Sequence, residues 1–255
     1  MRILMGLIIF ICSSLPPLVR AETTVYDFVL WYPGEAGSTA EAQPLMDLVG
    51  EYLAAKIPQT QWRVLYFAEL DPGKNYIHGR RPPFGIVSTV AYWRFQQALQ
   101  MTHLLATRPL PHGTTRERWA RITGPCEGPG AETRKTFVTE PLTPAFHAKA
   151  FPHATPGNIV TTTNALKTVQ DIAGEHCLAM VVNERLGETI GALGARWGKP
   201  LQIAMSQATF PTPSVVRFGT TVPPITEALT RTFLTMDRDP DGKRLLEELR
   251  LAGFR

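Results

Sequence analysis

The chain has 255 residues, a formal net charge of +4, and charged side chains at 19% of its positions. This length is enough for one large domain or for two smaller lobes with apolar cores. A charge so close to neutrality argues against a nucleic-acid-binding protein, which needs a strongly basic surface. The basic residues at positions 80–81 and 116–121 are expected to face solvent.

Residues 1–21 have the features of an export signal. Arg2 gives a charged start, residues 3–12 form a short apolar run, and compact residues stand three and one positions before a break after Ala21. The apolar run is about half the ~20 residues that a membrane-spanning helix needs. We therefore expect cleavage after Ala21, a periplasmic or secreted protein, and no membrane span in the mature chain.

Two cysteines, Cys126 and Cys177, remain after removal of the signal, which carries Cys12. In an oxidising compartment an even number of cysteines is compatible with a disulfide. Two buried free thiols are the alternative, and the sequence does not choose between them. Because the chain has no Cys-x-x-Cys spacing, redox catalysis is not predicted.

The chain alternates between strand and helix patterns from residue 24 onward. Apolar alternation predicts a first strand over residues 24–32, and apolar residues at helical spacing predict a helix that ends at Ile57. The next predicted elements are a strand (62–70), a polar loop, a strand ending near Ser88, and a helix (91–99).

The middle of the chain repeats this alternation. Its predicted elements are strand 103–107, a Gly/Pro-rich stretch over 109–130, strand 135–139, helix 144–150, strand 158–162, a helix stopped by Gly174, strand 178–182, helix 185–195 and strand 201–205. A strand (214–218) and two helices (225–236 and 243–251) close the chain.

Alternation of this kind is typical of α/β proteins with parallel sheets and right-handed crossovers. The simplest arrangement is a two-lobed α/β fold, in which residues 22–101 and 206–255 form the first lobe and residues 102–205 form the second. Two hinge strands, near residues 102–108 and 202–206, would join the lobes. The cleft between them is the usual place for a small ligand.

Three local runs carry a resemblance to a known family. The first strand ends in Trp31-Tyr32-Pro33-Gly34, residues 82–88 read Pro-Pro-Phe-Gly-Ile-Val-Ser, and residues 236–242 read Met-x-x-Asp-Pro-Asp-Gly. Together they resemble the phosphate/phosphonate-type periplasmic solute-binding proteins of ABC transporters. The resemblance implies a type II periplasmic binding fold. It also implies a protein without catalysis or cofactor that closes on one small anionic solute for an ABC permease.

Phosphonate recognition would place hydroxyl and backbone N–H donors at helix N-termini, where the helix dipole favours negative charge. Candidate ligand residues are Tyr32, Ser38, Thr39, Ser88, Thr89, Thr139 and Thr143. For each Ser or Thr the alternative is a helix cap that binds no ligand.

Glu140 departs from the family pattern, which has a Ser/Thr-rich, Gly-containing run at this place. A carboxylate facing the cleft would repel a phosphonate. Glu140 therefore either points to water, or the ligand is different, or the protein serves another exported system as a sensor or accessory protein rather than a transporter.

Residues 237–248 match the spacing of an EF-hand calcium loop, and an Asx-type turn with Asp241 capping the last helix is the alternative. No hydrolase motif is present, and the six histidines are not spaced as metal ligands. The sequence therefore predicts neither an enzyme nor a metal site.

Overall fold

The computed structural model describes residues 23–35, 38–124, 126, 133–174, 177–196, 198 and 201–255. The predicted export signal lies outside these residues. Within them, no helix is both long and apolar enough to cross a membrane.

The strands in chain order are β1 (Thr24–Trp31), β2 (Thr60–Phe67), β3 (Phe84–Val87), β4 (Thr102–Pro109), β5 (Arg116–Glu117), β6 (Trp119–Thr123), β7 (Lys135–Val138), β8 (Asn158–Thr161), β9 (Leu178–Asn183), β10 (Gln202–Met205), β11 (Phe210–Pro211), β12 (Ser214–Arg217) and β13 (Leu251–Phe254). The helices are α1 (Thr39–Lys56), α2 (Leu70–Arg80), α3 (Thr89–Phe95), α4 (Pro144–Ala150), α5 (Ala165–Gly174), α6 (Glu184–Arg196), α7 (Thr226–Thr235) and α8 (Pro240–Glu248).

Sheet 1 forms the centre of lobe 1, with the strand order β13-β4-β12-β3-β1-β2. β1 lies between β2 and β3 and is parallel to both. Phe28 and Leu30 point to the side covered by α1, α7 and α8, whereas Val29 and Trp31 point to the side covered by α2 and α3. Because β1 is buried on both faces, it needs apolar residues at consecutive positions, which explains this run.

Sheet 2 forms the centre of lobe 2, with the order β10-β6-β9-β7-β8. Met180 and Val182 of β9 pack under α5 and α6, while Val181 packs on the opposite face with Phe146 of α4. A disulfide joins Cys126, beyond β6, to Cys177, directly before β9.

The two-lobed α/β fold with two hinge strands is confirmed. The strands β5 and β11 pair antiparallel to each other, outside both larger sheets, where the chain passes from one lobe to the other. Both predicted hinge positions are wrong, because residues 102–108 belong to β4 of sheet 1 and residues 202–205 belong to β10 of sheet 2. β4 pairs with β12 and β13 in sheet 1, so the chain leaves lobe 1 after residue 109 rather than near residue 102. The hinge segments are residues 110–118 and 206–213.

Both sheets are mixed, whereas the strand–helix alternation predicted parallel ones. β12 is antiparallel to β3 and β4, and β6 is antiparallel to β9 and β10. The chain path explains the difference in lobe 1. β12 follows the hinge strand β11 after two residues and has no crossover helix, so it enters sheet 1 from the side of lobe 2.

Three segments differ from the sequence prediction. β6 lies inside the expected Gly/Pro-rich stretch, and its Trp119 is buried although residues 116–121 were expected to face solvent. The expected polar loop contains α2, which buries Gly73 and Ile77. The last predicted helix ends early, because Arg250 has a left-handed backbone (φ 56°) and β13 follows it.

Candidate functional site

A cleft of about 380 Å³ lies between the lobes and is lined by residues of both. Tyr32 follows β1 and Ser88 follows β3 on the lobe 1 side, while Glu140 follows β7 and Asn183 ends β9 on the lobe 2 side. These four positions are at the carboxyl ends of parallel strands, which is where open α/β sheets bind ligands. The hinge strand β5 contributes Glu117 between the two sides.

Three of the seven predicted ligand residues line the cleft: Tyr32, Ser88 and Thr89. Ser88 caps α3, since its hydroxyl accepts a hydrogen bond from the Ala91 amide at 3.3 Å. The Thr89 hydroxyl donates to Glu117 Oε1 at 2.7 Å and lies 2.9 Å from the Pro211 carbonyl oxygen. Thr89 therefore ties the start of α3 to both hinge strands.

The other four predicted residues, Ser38, Thr39, Thr139 and Thr143, do not line the cleft. Ser38 forms a capping box with Glu41 at the start of α1, and Thr143 caps α4 by accepting from the Phe146 amide at 3.2 Å. The Thr39 hydroxyl donates to the Tyr66 carbonyl oxygen at 3.0 Å. Ser38 and Thr143 therefore act as helix caps in this structure, which was the alternative to ligand binding.

Glu140 turns into the cleft rather than to water. Its side chain is 6% exposed, and its Oε2 atom has no hydrogen-bond partner among the described residues. Burial raises the pKa of Glu140 well above its ordinary value, and the nearby carboxylates Glu35 and Glu117 raise it further. The side chains of Ser88 and Asn183 act in the opposite direction on this pKa.

Glu117 is half-buried in the hinge strand β5. Burial raises its pKa to about 7, although the Thr89 hydroxyl and the Arg185 guanidinium favour the ionised form. Glu35 belongs to the loop after β1 and pairs across the cleft with Arg185 of α6, with 3.5 Å between Oε1 and Nη2. Glu35, Glu117, Glu140 and Glu248 thus line one cleft, and the sequence analysis considered only Glu140 as a residue that could face it.

Apolar and aromatic side chains form the rest of the wall. Leu30, Leu45, Met46 and Ile86 line the lobe 1 side, with the rings of Tyr32 and Tyr66 beside them. Burial and the neighbouring Glu35 and Glu117 raise the pKa of Tyr32, so its hydroxyl stays protonated. The Tyr66 hydroxyl also stays neutral, because burial raises its pKa to about 12.

The lobes touch at the rim of the cleft. Gly34, in a left-handed conformation (φ 91°), lies against the backbone of Thr139 and Glu140. Beside the hinge, Trp93 of α3 packs edge-on against Phe146 of lobe 2 with ring centroids 5.9 Å apart, and both rings contact Phe210 of β11. Arg94 donates to the Pro141 carbonyl oxygen at 3.2 Å. These contacts describe a closed arrangement of the lobes.

Known structures share this architecture. XAC2383 from Xanthomonas citri, solved bound to ATP, superposes with a TM-score of 0.65 at 13% identity over 91% of this chain and 90% of that one. A binding protein component of an ABC phosphonate transporter from Pseudomonas aeruginosa (PA3383) superposes with a TM-score of 0.63 at 11% identity, covering 91% and 81%. The fold is that of a periplasmic solute-binding protein.

A third similar structure, an ancestral arginine-binding protein bound to arginine, has a TM-score of 0.53 at 12% identity over 89% of this chain and 98% of that one. The named ligands of the similar structures therefore differ widely, and at these identities the likeness extends to the fold alone. No protein-family profile matches the chain, and no curated protein matches it in sequence.

The acidic turn before α8 has a structural role. Asp239, rather than the expected Asp241, caps α8 by accepting from the Gly242 amide at 3.0 Å, and it also pairs with Lys56 at 2.9 Å. Among the described residues, no group of three or more His, Cys, Asp or Glu side chains is arranged to hold a metal ion.

Proposed function

We propose that this protein is an exported, non-catalytic solute-binding protein whose two lobes close over one small solute. The observation that carries the proposal is a cleft lined by both lobes, with lobe-to-lobe contacts at its rim. A ligand that contacts both sides stabilises the closed arrangement by the difference between its affinities for the closed and open forms. Delivery to an ABC permease is part of the proposal, and the fold shared with PA3383 supports it.

The size of the cleft limits the solute. At about 380 Å³ it lies near the lower end of the range of about 300–1,000 Å³ that is usual for ligand pockets. The apolar wall can hold a short carbon skeleton, and polar groups at the strand ends can orient it. The solute is therefore of metabolite size, smaller than a peptide or an oligosaccharide.

A phosphate or phosphonate is one candidate class of ligand. The hydroxyl of Ser88 and the guanidinium of Arg185 favour it, because both can donate hydrogen bonds to an oxyanion within the cleft. The carboxyl groups of Glu35, Glu117 and Glu140 count against it, since each would have to be neutral beside a bound anion.

Thermal unfolding with a ligand panel tests the proposal. The panel contains anions, organic cations, zwitterions and neutral sugars, each at millimolar concentration. A ligand present at 100 times its dissociation constant should stabilise the folded state by about 2.7 kcal/mol. Small-angle X-ray scattering should show a smaller radius of gyration with that ligand, as the lobes close. If none of the four classes of ligand stabilises the protein, the result contradicts a solute-binding function.

A further inference from the structure

The cleft has an excess of carboxyl groups over basic ones. Glu35, Glu117 and Glu140 line it, and Arg185 faces them from α6 with its nearest contact to Glu35. Two further lining residues, Glu248 and Arg250, offset each other in formal charge. In an empty closed cleft, carboxyl groups removed from water must either hold a proton or find a cation or hydrogen-bond donors.

One oxygen of the Glu140 carboxyl group lacks a partner among the described residues, although the side chains of Ser88 and Asn183 donate hydrogen bonds to the group. More than nine-tenths of its surface is buried, it lines the cleft, and its Oε2 atom accepts no hydrogen bond from any described residue. Buried polar atoms in native proteins nearly always have a partner. Because Glu140 lines the cleft, a donor on the solute is a candidate partner for its carboxyl group.

We infer that the solute is a small organic cation, whose ammonium or guanidinium group is bound by Glu140 and Glu117. This inference rests on the proposed solute-binding function. Two features favour an organic cation over a metal ion. The carboxyl groups are not arranged as a metal site. The apolar wall of Leu30 and Met46 suits the carbon part of such a solute, and the rings of Tyr32 and Tyr66 can attract its charge.

Binding of a cation should release protons. In the empty cleft, burial raises the pKa of Glu117 to about 7, so part of this group is protonated near neutral pH, and burial also raises the pKa of Glu140. A bound cation favours their ionised forms, so the protons leave. The groups that face Glu117 are the Thr89 hydroxyl, the guanidinium of Arg185, and the carboxyl groups of Glu35, Glu140 and Glu184. Affinity for the cation should therefore increase as pH rises through 7.

Isothermal titration calorimetry tests this inference on the full mature protein. The probes are agmatine, putrescine and choline as cations, ethylphosphonate and butyrate as anions, and ribose as a neutral compound. Each titration is repeated at pH 6.5 in two buffers that differ in ionisation enthalpy, which counts the protons exchanged. We expect at least one cation to bind with net proton release, and neither anion to bind.

The variant Glu140→Gln keeps the shape of the side chain and removes its charge. It should weaken cation binding at least about tenfold and reduce the number of protons released. Glu227→Gln, on the exposed surface of α7, is the matched control and should change neither quantity. If Glu140→Gln fails to fold, the count of protons released by the wild-type protein is decisive.

The two proposals fail in different ways. Binding of ethylphosphonate, butyrate or ribose in preference to the cations would overturn the cationic solute and leave a solute-binding function intact. Cation binding that takes up protons, or that is unchanged in Glu140→Gln, would also overturn it. If none of the probes binds, the result counts against the solute-binding function itself.

Discussion

Gly34 offers a direct test of lobe closure. A Cβ atom at this position would lie 2.9 Å from the Glu140 amide nitrogen and closer still to the Thr139 carbonyl oxygen. Carbon makes favourable contacts at about 3.5–4.0 Å, so relieving the contact with the amide nitrogen alone requires an opening of about 0.6 Å, and the nearer Thr139 carbonyl oxygen requires more. Because the obstructing atoms belong to the backbone of a strand end, they cannot move aside as a flexible side chain could.

The conformational strain of the substitution can be separated from the clash. Alanine in a left-handed conformation costs about 1–2 kcal/mol, and this cost applies equally to the open and closed forms. Gly219 is a matched control, because it also has a positive φ (75°) but no atom lies within 4 Å of its Cβ position. Both variants should lose similar unfolding free energy in the absence of solute.

The two variants should differ in ligand binding. We expect Gly34→Ala to raise the dissociation constant at least about a hundredfold, a loss of about 2.7 kcal/mol, since the solute can no longer be enclosed. Gly219→Ala should bind as the wild type does. Calorimetry gives the affinities, and small-angle X-ray scattering shows whether the solute still compacts each variant. Equal affinity of the two variants would refute the assignment of this structure to a closed, ligand-enclosing form.

Three further predictions concern stability and the predicted caps. His147 is fully buried, and burial lowers its pKa to about 4. Because the unfolded chain takes up a proton at His147 as pH falls from about 6.5 to 4, the unfolding free energy of the wild type should fall relative to that of His147→Leu over this range. Parallel pH profiles of the two proteins in urea denaturation would contradict this. Replacing Cys126 and Cys177 by serine opens a loop closed over a separation of 51 residues and should lower the unfolding free energy by about 4 kcal/mol in the chain-entropy model. Urea unfolding measures this loss, and an unchanged midpoint would exclude a stabilising disulfide. Thr143→Ala should cost about 1 kcal/mol of stability and leave solute affinity unchanged, whereas a loss of affinity would return Thr143 to the binding site.

The sequence predicted those parts of the fold in which one residue pattern determines one element. The apolar run of β1 and the strand that ends at Ser88 are such cases. β6 was missed because its five residues do not alternate: Trp119, Ala120 and Ile122 are buried, and Arg121 interrupts the apolar run. The boundary at residue 102 was wrong because pairing of β4 with β12 joins parts of the chain separated by more than a hundred residues, and local patterns contain no information about such pairing.

The candidate site was predictable where it follows strand ends. Tyr32 and Ser88 stand directly after β1 and β3, and a sequence pattern that locates the strand also locates these residues. Glu117 belongs to a two-residue hinge strand with no periodicity, so no sequence signal pointed to it. Glu140 was identified as a residue whose direction mattered, but whether it faces water or the cleft depends on how the lobes meet.

The order of strands in sheet 1 has a consequence for the order in which the two lobes can fold. Lobe 2 is continuous in sequence, so all of its strands are available once residue 205 has emerged. Lobe 1 is different, because β12 lies between β3 and β4 in the middle of sheet 1 and β13 completes its edge. Until residue 217 has emerged, β12 cannot pair with β3 and β4, and sheet 1 stays incomplete. Lobe 2 should therefore gain protection from proteolysis before lobe 1.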